Sequence, residues 1–167
     1  MDKRPRLRLP LTTVDKLVEF IGLLLLIATW ILSVMSFSEL PETIPIHYNS
    51  AGEADSFGEK TYIFTLPIIA TVLYIGMSIL NKHPHVFNYP TKITEKNALA
   101  QYTTATRIIR LLKLIIILVF GFILFKTIQN ATGHTDGLGT WFLPVTIGLF
   151  SIPVIYPIFK AMRTNSN

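Results

Sequence analysis

The stretch LVEFIGLLLLIATWILSVMS, Leu17–Ser36, decides the fold class. Phe20–Val34 alone holds ten Leu, Ile, Phe or Val. At about −0.3 to −0.6 kcal/mol each, these favour insertion into a bilayer by roughly 3–6 kcal/mol. The run has the length of about 20 residues that a helix needs to cross the hydrocarbon core. It is too long for the apolar part of a signal peptide, and no convincing small-residue cleavage site follows, so it reads as an uncleaved anchor.

Working outward, three more apolar runs follow at Tyr62–Leu80, Ile108–Thr127 and Trp141–Phe159. The second and fourth carry no charge. Glu19, Arg110 and Lys113 sit near the ends of the first and third, where long side chains can snorkel to the interface. The totals agree with a membrane protein. Half of the 167 residues are hydrophobic and 15% are charged, against about a quarter in soluble domains. Mean hydropathy is +0.49. Cysteine is absent, which excludes disulfides, thiolate metal sites and a cysteine nucleophile.

Lysine and arginine set the expected orientation. Thirteen of the 15 fall in the N-terminal segment, in the connection and foot of the third run, and in the tail; only Lys60 and Lys126 lie on the other side. This predicts four spans in the cell membrane with both termini cytoplasmic. The formal charge of +5 is then a topology signal and a possible contact with anionic lipid, not a nucleic-acid footprint.

The longest outer connection, Phe37–Thr61, contains LPETIPIHYNSAGEADSFGEK. Connections between neighbouring helices usually take about 2–8 residues, so this one is expected to have structure of its own. Pro41 and Pro45 favour extended backbone before them. Ile44, Ile46 and Tyr48 alternate with Pro45, His47 and Asn49, which gives one apolar face. Ser50–Gly52 and Ser56–Gly58 read as turns. The picture is a cap folded onto the bundle mouth, with His47, Asn49, Asp55 and Lys60 as a polar cluster inside it. Asp55 and Lys60 are expected to pair, and Glu53 and Glu59 to be exposed ligand contacts.

The inner connection, residues 81–107, is irregular at first. Thr94 is a candidate N-cap with Glu95 at the positive helix end. Ala98, Tyr102, Ala105, Ile109 and Leu112 then fall on one helical face, so the third helix should start well before its apolar run. Pro67, Pro144, Pro153 and Pro157 are expected to kink the second and fourth spans.

Other constellations have plain readings. His47, Glu53, Asp55 and Glu59 match no zinc or calcium spacing, and hydrogen bonding within the cap is the simpler account. His83 and His85 flank a proline and read as a solvated pair. His134 and Asp136 lie in a glycine-rich turn. Asn130-Ala131-Thr132 is formally a glycosylation sequon. Metalloprotease, nucleophile-elbow, P-loop and dinucleotide motifs are missing. No catalytic residue, cofactor or metal is expected.

The outer loop resembles an uncharacterised bacterial membrane family that forms the N-terminal part of SdpI-type immunity proteins. Leu40, Pro41, Ile44, Pro45, His47, Asn49, Gly52, Asp55 and Lys60 carry the likeness, and Asn88, Tyr89, Pro90, Ile93, Thr94, Asn97 and Tyr102 extend it. The resemblance implies a multispan membrane protein. In SdpI-type proteins it is tied to protection against a secreted toxic peptide and to relay of its presence to a cytoplasmic repressor.

The expected fold is therefore an all-α, four-transmembrane-helix bundle in one domain, 1–167. Its spans are about 17–36, 62–80, 108–127 and 141–159, with the outer cap at 37–61. The expected function is a non-enzymatic, receptor-like or immunity-like one, in which the outer loop recognises a ligand, a peptide or a membrane-protein partner. A structural or accessory subunit is the alternative, and a metal-dependent membrane enzyme comes last. The bilayer is the expected partner, and nucleic acid is not.

Overall fold

The computed structural model describes residues 4–164, with side chains as far as Ile155. Lys3, the side chains of Pro157, Lys160 and Arg163, and the polar tail beyond 164 lie outside the described residues.

The first helix, α1 (Thr13–Ser36), starts four residues before its apolar run. Thr12 and Asp15 form a capping box: the Thr12 hydroxyl accepts from the Asp15 amide at 3.2 Å, and the Asp15 carboxylate accepts from the Thr12 amide at 2.9 Å. Two antiparallel strands follow, β1 (Thr43–Tyr48) and β2 (Ala54–Glu59). A short 3-10 segment, Lys60–Phe64, leads into α2 (Thr65–Leu80). A further 3-10 turn at Pro84–Val86 precedes α3 (Ala98–Ala131), and α4 is Phe142–Thr164. Thr13–Ser36, Lys60–Leu80 and Ala98–Ala131 are long and apolar enough to cross a membrane; Phe142–Ile155 is apolar but shorter.

The fold is mostly helical, not all-α. The hairpin β1–β2 departs from expectation because β2, ADSFGE, is polar and contains glycine, a poor strand composition. Ser56–Gly58 lies in this strand and is no turn; the reversal runs through Asn49–Glu53 instead. The ladder pairs Thr43 with Glu59 and Pro45 with Phe57, then shifts register on either side of His47. Proline cannot donate to a ladder and is tolerated at such irregularities. The shift also breaks the expected alternation: Ile44 and Pro45 are buried, while Ile46 is exposed.

Helix α3 is central. Helices α1, α2 and α4 all pack on it, α1 most extensively. At 34 residues it is about 51 Å long, and it extends well before the apolar run, as the sequence predicts. Its N-cap is Asn97, not Thr94. The Asn97 side-chain oxygen accepts from the Thr94 amide at 2.8 Å, which closes the turn that precedes the helix. Pro67 and Pro144 lie in the first turns of α2 and α4, where the missing N–H breaks no helical bond.

Three apolar clusters run along the bundle. Leu40, Ile44, Ile63 and Leu124 seat the hairpin on α3, supported by Phe37 and Phe64. Leu26, Ala70 and Ile117 join α1, α2 and α3 at mid-height. Ile93, Ala98 and Tyr102, with Leu9 and Tyr89, form the end opposite the hairpin. There the N-terminal segment lies across the bundle: Tyr102 Oη donates to the Pro5 carbonyl at 3.1 Å, and Arg4 donates to the Phe87 carbonyl at 2.6 Å. Burial, with Tyr102 nearby, pushes the Tyr89 phenol up to about 12, against a smaller downward pull from Arg4.

Candidate functional site

The hairpin places its polar residues in three local pairs. His47 Nδ1 lies 2.5 Å from Asp55 Oδ1, with the side chains 68% and 41% exposed. Asn49 organises the reversal: its side-chain oxygen accepts from the amides of Ala51 and Glu53, at 2.9 and 3.0 Å, and its amide donates to Glu53 Oε2 at 3.0 Å. This is the local side-chain bonding that suits asparagine to turns. Lys60 Nζ donates to Glu42 Oε1 at 2.9 Å and sits 5.3 Å from the centre of the Phe37 ring.

The expected Asp55–Lys60 pair does not form, and the four residues are not one cluster. Pairing Thr43 with Glu59 puts Glu42 beside Lys60 at the hairpin base, while Asp55 lies nearer the reversal beside His47. Glu53 and Glu59 are exposed, as expected of them; the Glu59 carboxylate accepts from the Thr61 hydroxyl at 3.4 Å.

Beneath β1 is a cavity of about 320 Å³. Ile44, Ile46 and His47 roof it, Leu66 of α2, Ile123 of α3 and Phe142 of α4 form walls, and Leu138 closes the loop side. The size falls in the range of small-molecule sites. Inside, Tyr48 Oη and Thr127 Oγ1 share a hydrogen bond at 3.0 Å. Burial pushes the Tyr48 phenol above its usual range, and the Thr127 hydrogen bond pulls it partly back. The lining is therefore mostly apolar, with the Tyr48 and Thr127 hydroxyls bonded to each other, Tyr62 and Thr65 also on the wall, and His47 at the roof.

The hairpin is fixed to the loop before α4 by close backbone contact. The Leu138 amide donates to the Gly52 carbonyl at 2.7 Å. Gly52, Gly137 and Gly139 all have positive φ, at 80°, 110° and 88°. A Cβ on Gly52 would overlap Gly139 backbone, and one on Gly137 would overlap the Gly52 carbonyl. Glycine is required here twice over, for conformation and for space.

A second polar assembly lies at the opposite end, between α1 and α3. Lys113 Nζ donates to Glu19 Oε2 at 2.6 Å and to Ser78 Oγ at 2.7 Å, and sits 4.2 Å from the centre of the Tyr74 ring. Arg110 reaches Asp15 at 3.5 Å and Glu19 at 3.3 Å, the second contact lacking hydrogen-bond direction. Arg107 Nε donates to Asp15 Oδ1 at 3.2 Å. Lys113 is 2% exposed and Arg110 7%. These two side chains do not snorkel outward; they turn into the helix interface because α1 supplies two carboxylates, four residues apart, on the facing side. The sequence reading missed this network. Its signal was the Asp15/Glu19 spacing set against Arg110 and Lys113, three apart on α3.

The remaining candidates are isolated. His83 and His85 face each other edge to plane, with ring centres 5.9 Å apart. His134 Nδ1 meets the Thr132 hydroxyl at 2.9 Å within its turn. Among the described residues, no three His, Asp or Glu side chains gather as a metal cluster.

Residues 24–71 match the family model described as a domain of unknown function (DUF1648). That segment takes in the second half of α1, the whole hairpin and the start of α2. An uncharacterized protein of Archaeoglobus fulgidus is 29% identical over 89 residues, covering 48% of this chain and 49% of the relative. The chain thus spans about half the length of the curated relative it matches. No solved structure matches. The segment that carries the hairpin is therefore similar to a domain of unknown function, and the apolar helices around it fit a membrane protein.

Proposed function

We propose that this chain is a four-span protein of the cell membrane, with both termini cytoplasmic, that recognises a ligand at its hairpin end without catalysing a reaction. The role is receptor-like or immunity-like, in line with the resemblance of the outer loop to SdpI-type proteins. One observation carries the reading: the apolar cavity of about 320 Å³ is roofed by the very hairpin that the family-like motif builds. A connector would need neither a cavity nor a glycine contact holding its roof in place. The charge split supports the orientation, with 13 of 15 Lys and Arg away from the hairpin.

The test is ligand recovery from native membranes with and without a filled cavity. Ile123→Trp places an indole in the cavity wall. Small molecules and peptides that co-purify with the wild-type protein should include at least one species that Ile123→Trp loses while its helicity and thermal unfolding are kept. Identical sets of bound species would favour the accessory-subunit reading, in which the hairpin only completes the bundle. Orientation is checked separately with an impermeant thiol reagent on intact cells. It should label Ser50→Cys and miss Thr94→Cys, and the reverse pattern would invert the topology.

A further inference from the structure

We infer that the ligand is a cationic amphiphile, whose apolar chain enters the cavity sideways from the bilayer while its amine stays at the carboxylates of the hairpin. This rests on the reading of the hairpin end as a ligand site, and it adds the chemical class and the route.

The route follows from helix packing. Helices α2 and α4 each pack on α3 and, among the described residues, hardly touch one another. Between them, at the hairpin end, lies the cavity, with Leu66 on the α2 side and Phe142 on the α4 side. Ile46 and Tyr62, on its margin, are 43% and 54% exposed. In a bilayer, an opening between two apolar helices faces lipid chains, so a molecule already dissolved in the membrane reaches it without crossing water.

The interior decides what enters. Tyr48 and Thr127 bond each other and bring hydroxyls but no charge to the interior. A charged group pushed past them would lose its hydration with nothing to replace it. The apolar part of the ligand goes in, and the polar part must remain at the mouth, where His47 is held by Asp55.

The sign of that polar part follows from the charges of the hairpin around the cavity, whose own lining contains no carboxylate. Phe37–Thr61 carries five carboxylates against one lysine, and Lys126 of α3 is the other lysine on this side, so carboxylates still outnumber the cations. Lys60 is taken up by Glu42, and Asp55 is shared with His47. Among the described residues, Glu39, Glu53 and Glu59 have no cationic partner. Screening confines each charge to about 8–10 Å at physiological salt, a range that covers a head group lying against the hairpin. An amine is attracted there, and a carboxylate or phosphate is repelled.

Native mass spectrometry of the full chain, released from uncharged detergent, tests the inference with dodecylammonium, dodecanol and dodecanoate as probes. Wild type should hold dodecylammonium at least about tenfold more tightly than dodecanoate. Raising salt to ~0.5 M should shrink that preference. Glu53→Gln with Glu59→Gln should remove most of it while leaving dodecanol binding unchanged. These two side chains are exposed, so this variant avoids disturbing the His47–Asp55 pair. Ile123→Trp should release all three probes. If Ile123→Trp releases the probes but wild type holds dodecanoate as tightly as dodecylammonium, the cationic assignment is overturned and the outer ligand site stands. If no probe is lost on filling the cavity, the site itself falls, and the inference with it.

Discussion

At the end of the bundle opposite the hairpin, Lys113 is sealed between Glu19, Ser78 and the Tyr74 ring, whereas at the hairpin end His47 and Asp55 pair in the open. Both are contacts between opposite or complementary groups at short range. Their surroundings make them different objects. Water competes for every exposed pair and screens it, so such pairs contribute little. Between α1 and α3, Lys113, Arg110 and Asp15 are almost fully shut off from solvent, while Glu19 keeps 28% exposure, so the buried charges depend on their partners. The buried network fixes how α1 lies on α3; the exposed pairs leave the hairpin surface open to other molecules.

The sharpest way to break this comparison is to remove one buried partner. Lys113→Ala leaves Glu19 facing Arg110 alone, through a contact that already lacks hydrogen-bond direction. Breaking a buried pair from one side costs about 3–5 kcal/mol, and denaturant unfolding in micelles should show a loss of that order. Lys113→Met combined with Glu19→Leu removes both charges and should recover most of it. If Lys113→Ala unfolds no more readily than a hairpin variant, the network is no more than an interfacial decoration.

An intermediate effect is expected where the two outer loops meet. Gly137→Ala forces a side chain into a φ of 110° and into the Gly52 carbonyl. Strain of this kind costs about 1–3 kcal/mol. Gly133 supplies the control, because its φ of 76° is similarly unusual but nothing lies within 4 Å of its Cβ position. Gly133→Ala should therefore cost less than Gly137→Ala. Hydrogen exchange at the Leu138 amide should rise in Gly137→Ala and stay slow in Gly133→Ala, and equal rates would dissolve the proposed lock.

The same contrast shows what could be read in advance. The four apolar runs and the early start of α3 were legible, because hydropathy and helical period act locally. The buried face of α3 was legible only at its start, where Ala98 and Tyr102 are buried as the helical period suggests. Hydropathy selects Ala105, Ile109 and Leu112, whereas the structure buries Thr106, Arg110 and Lys113, next to them on the helix. In a bundle surrounded by lipid the apolar side can face outward, and the polar side is buried if partners meet it. That condition lives on α1, roughly ninety residues away in the chain. The Glu42–Lys60 pair was hidden for a similar reason: it follows from strand register, and β2 has too little strand character to announce its pairing. His47 and Asp55 share a site that the loop motif does suggest, though in the open and without Lys60.

The smallest expected effect is at His47, and it is the most informative about function. His47→Ala removes an exposed contact with Asp55 and part of the cavity roof. Exposed pairs of this kind contribute about 0.2–1 kcal/mol. The hairpin keeps its other supports: Ile44 is 1% exposed against Leu40, Ile63 and Leu124, and the Leu138–Gly52 hydrogen bond is untouched. Thermal unfolding should therefore change by less than about 1 kcal/mol. Ligand retention should still change, because Asp55 loses the ring that holds it at the mouth. If the variant instead loses stability on the scale of Lys113→Ala, then His47 acts as a structural post of the hairpin, and the contrast between the two ends disappears.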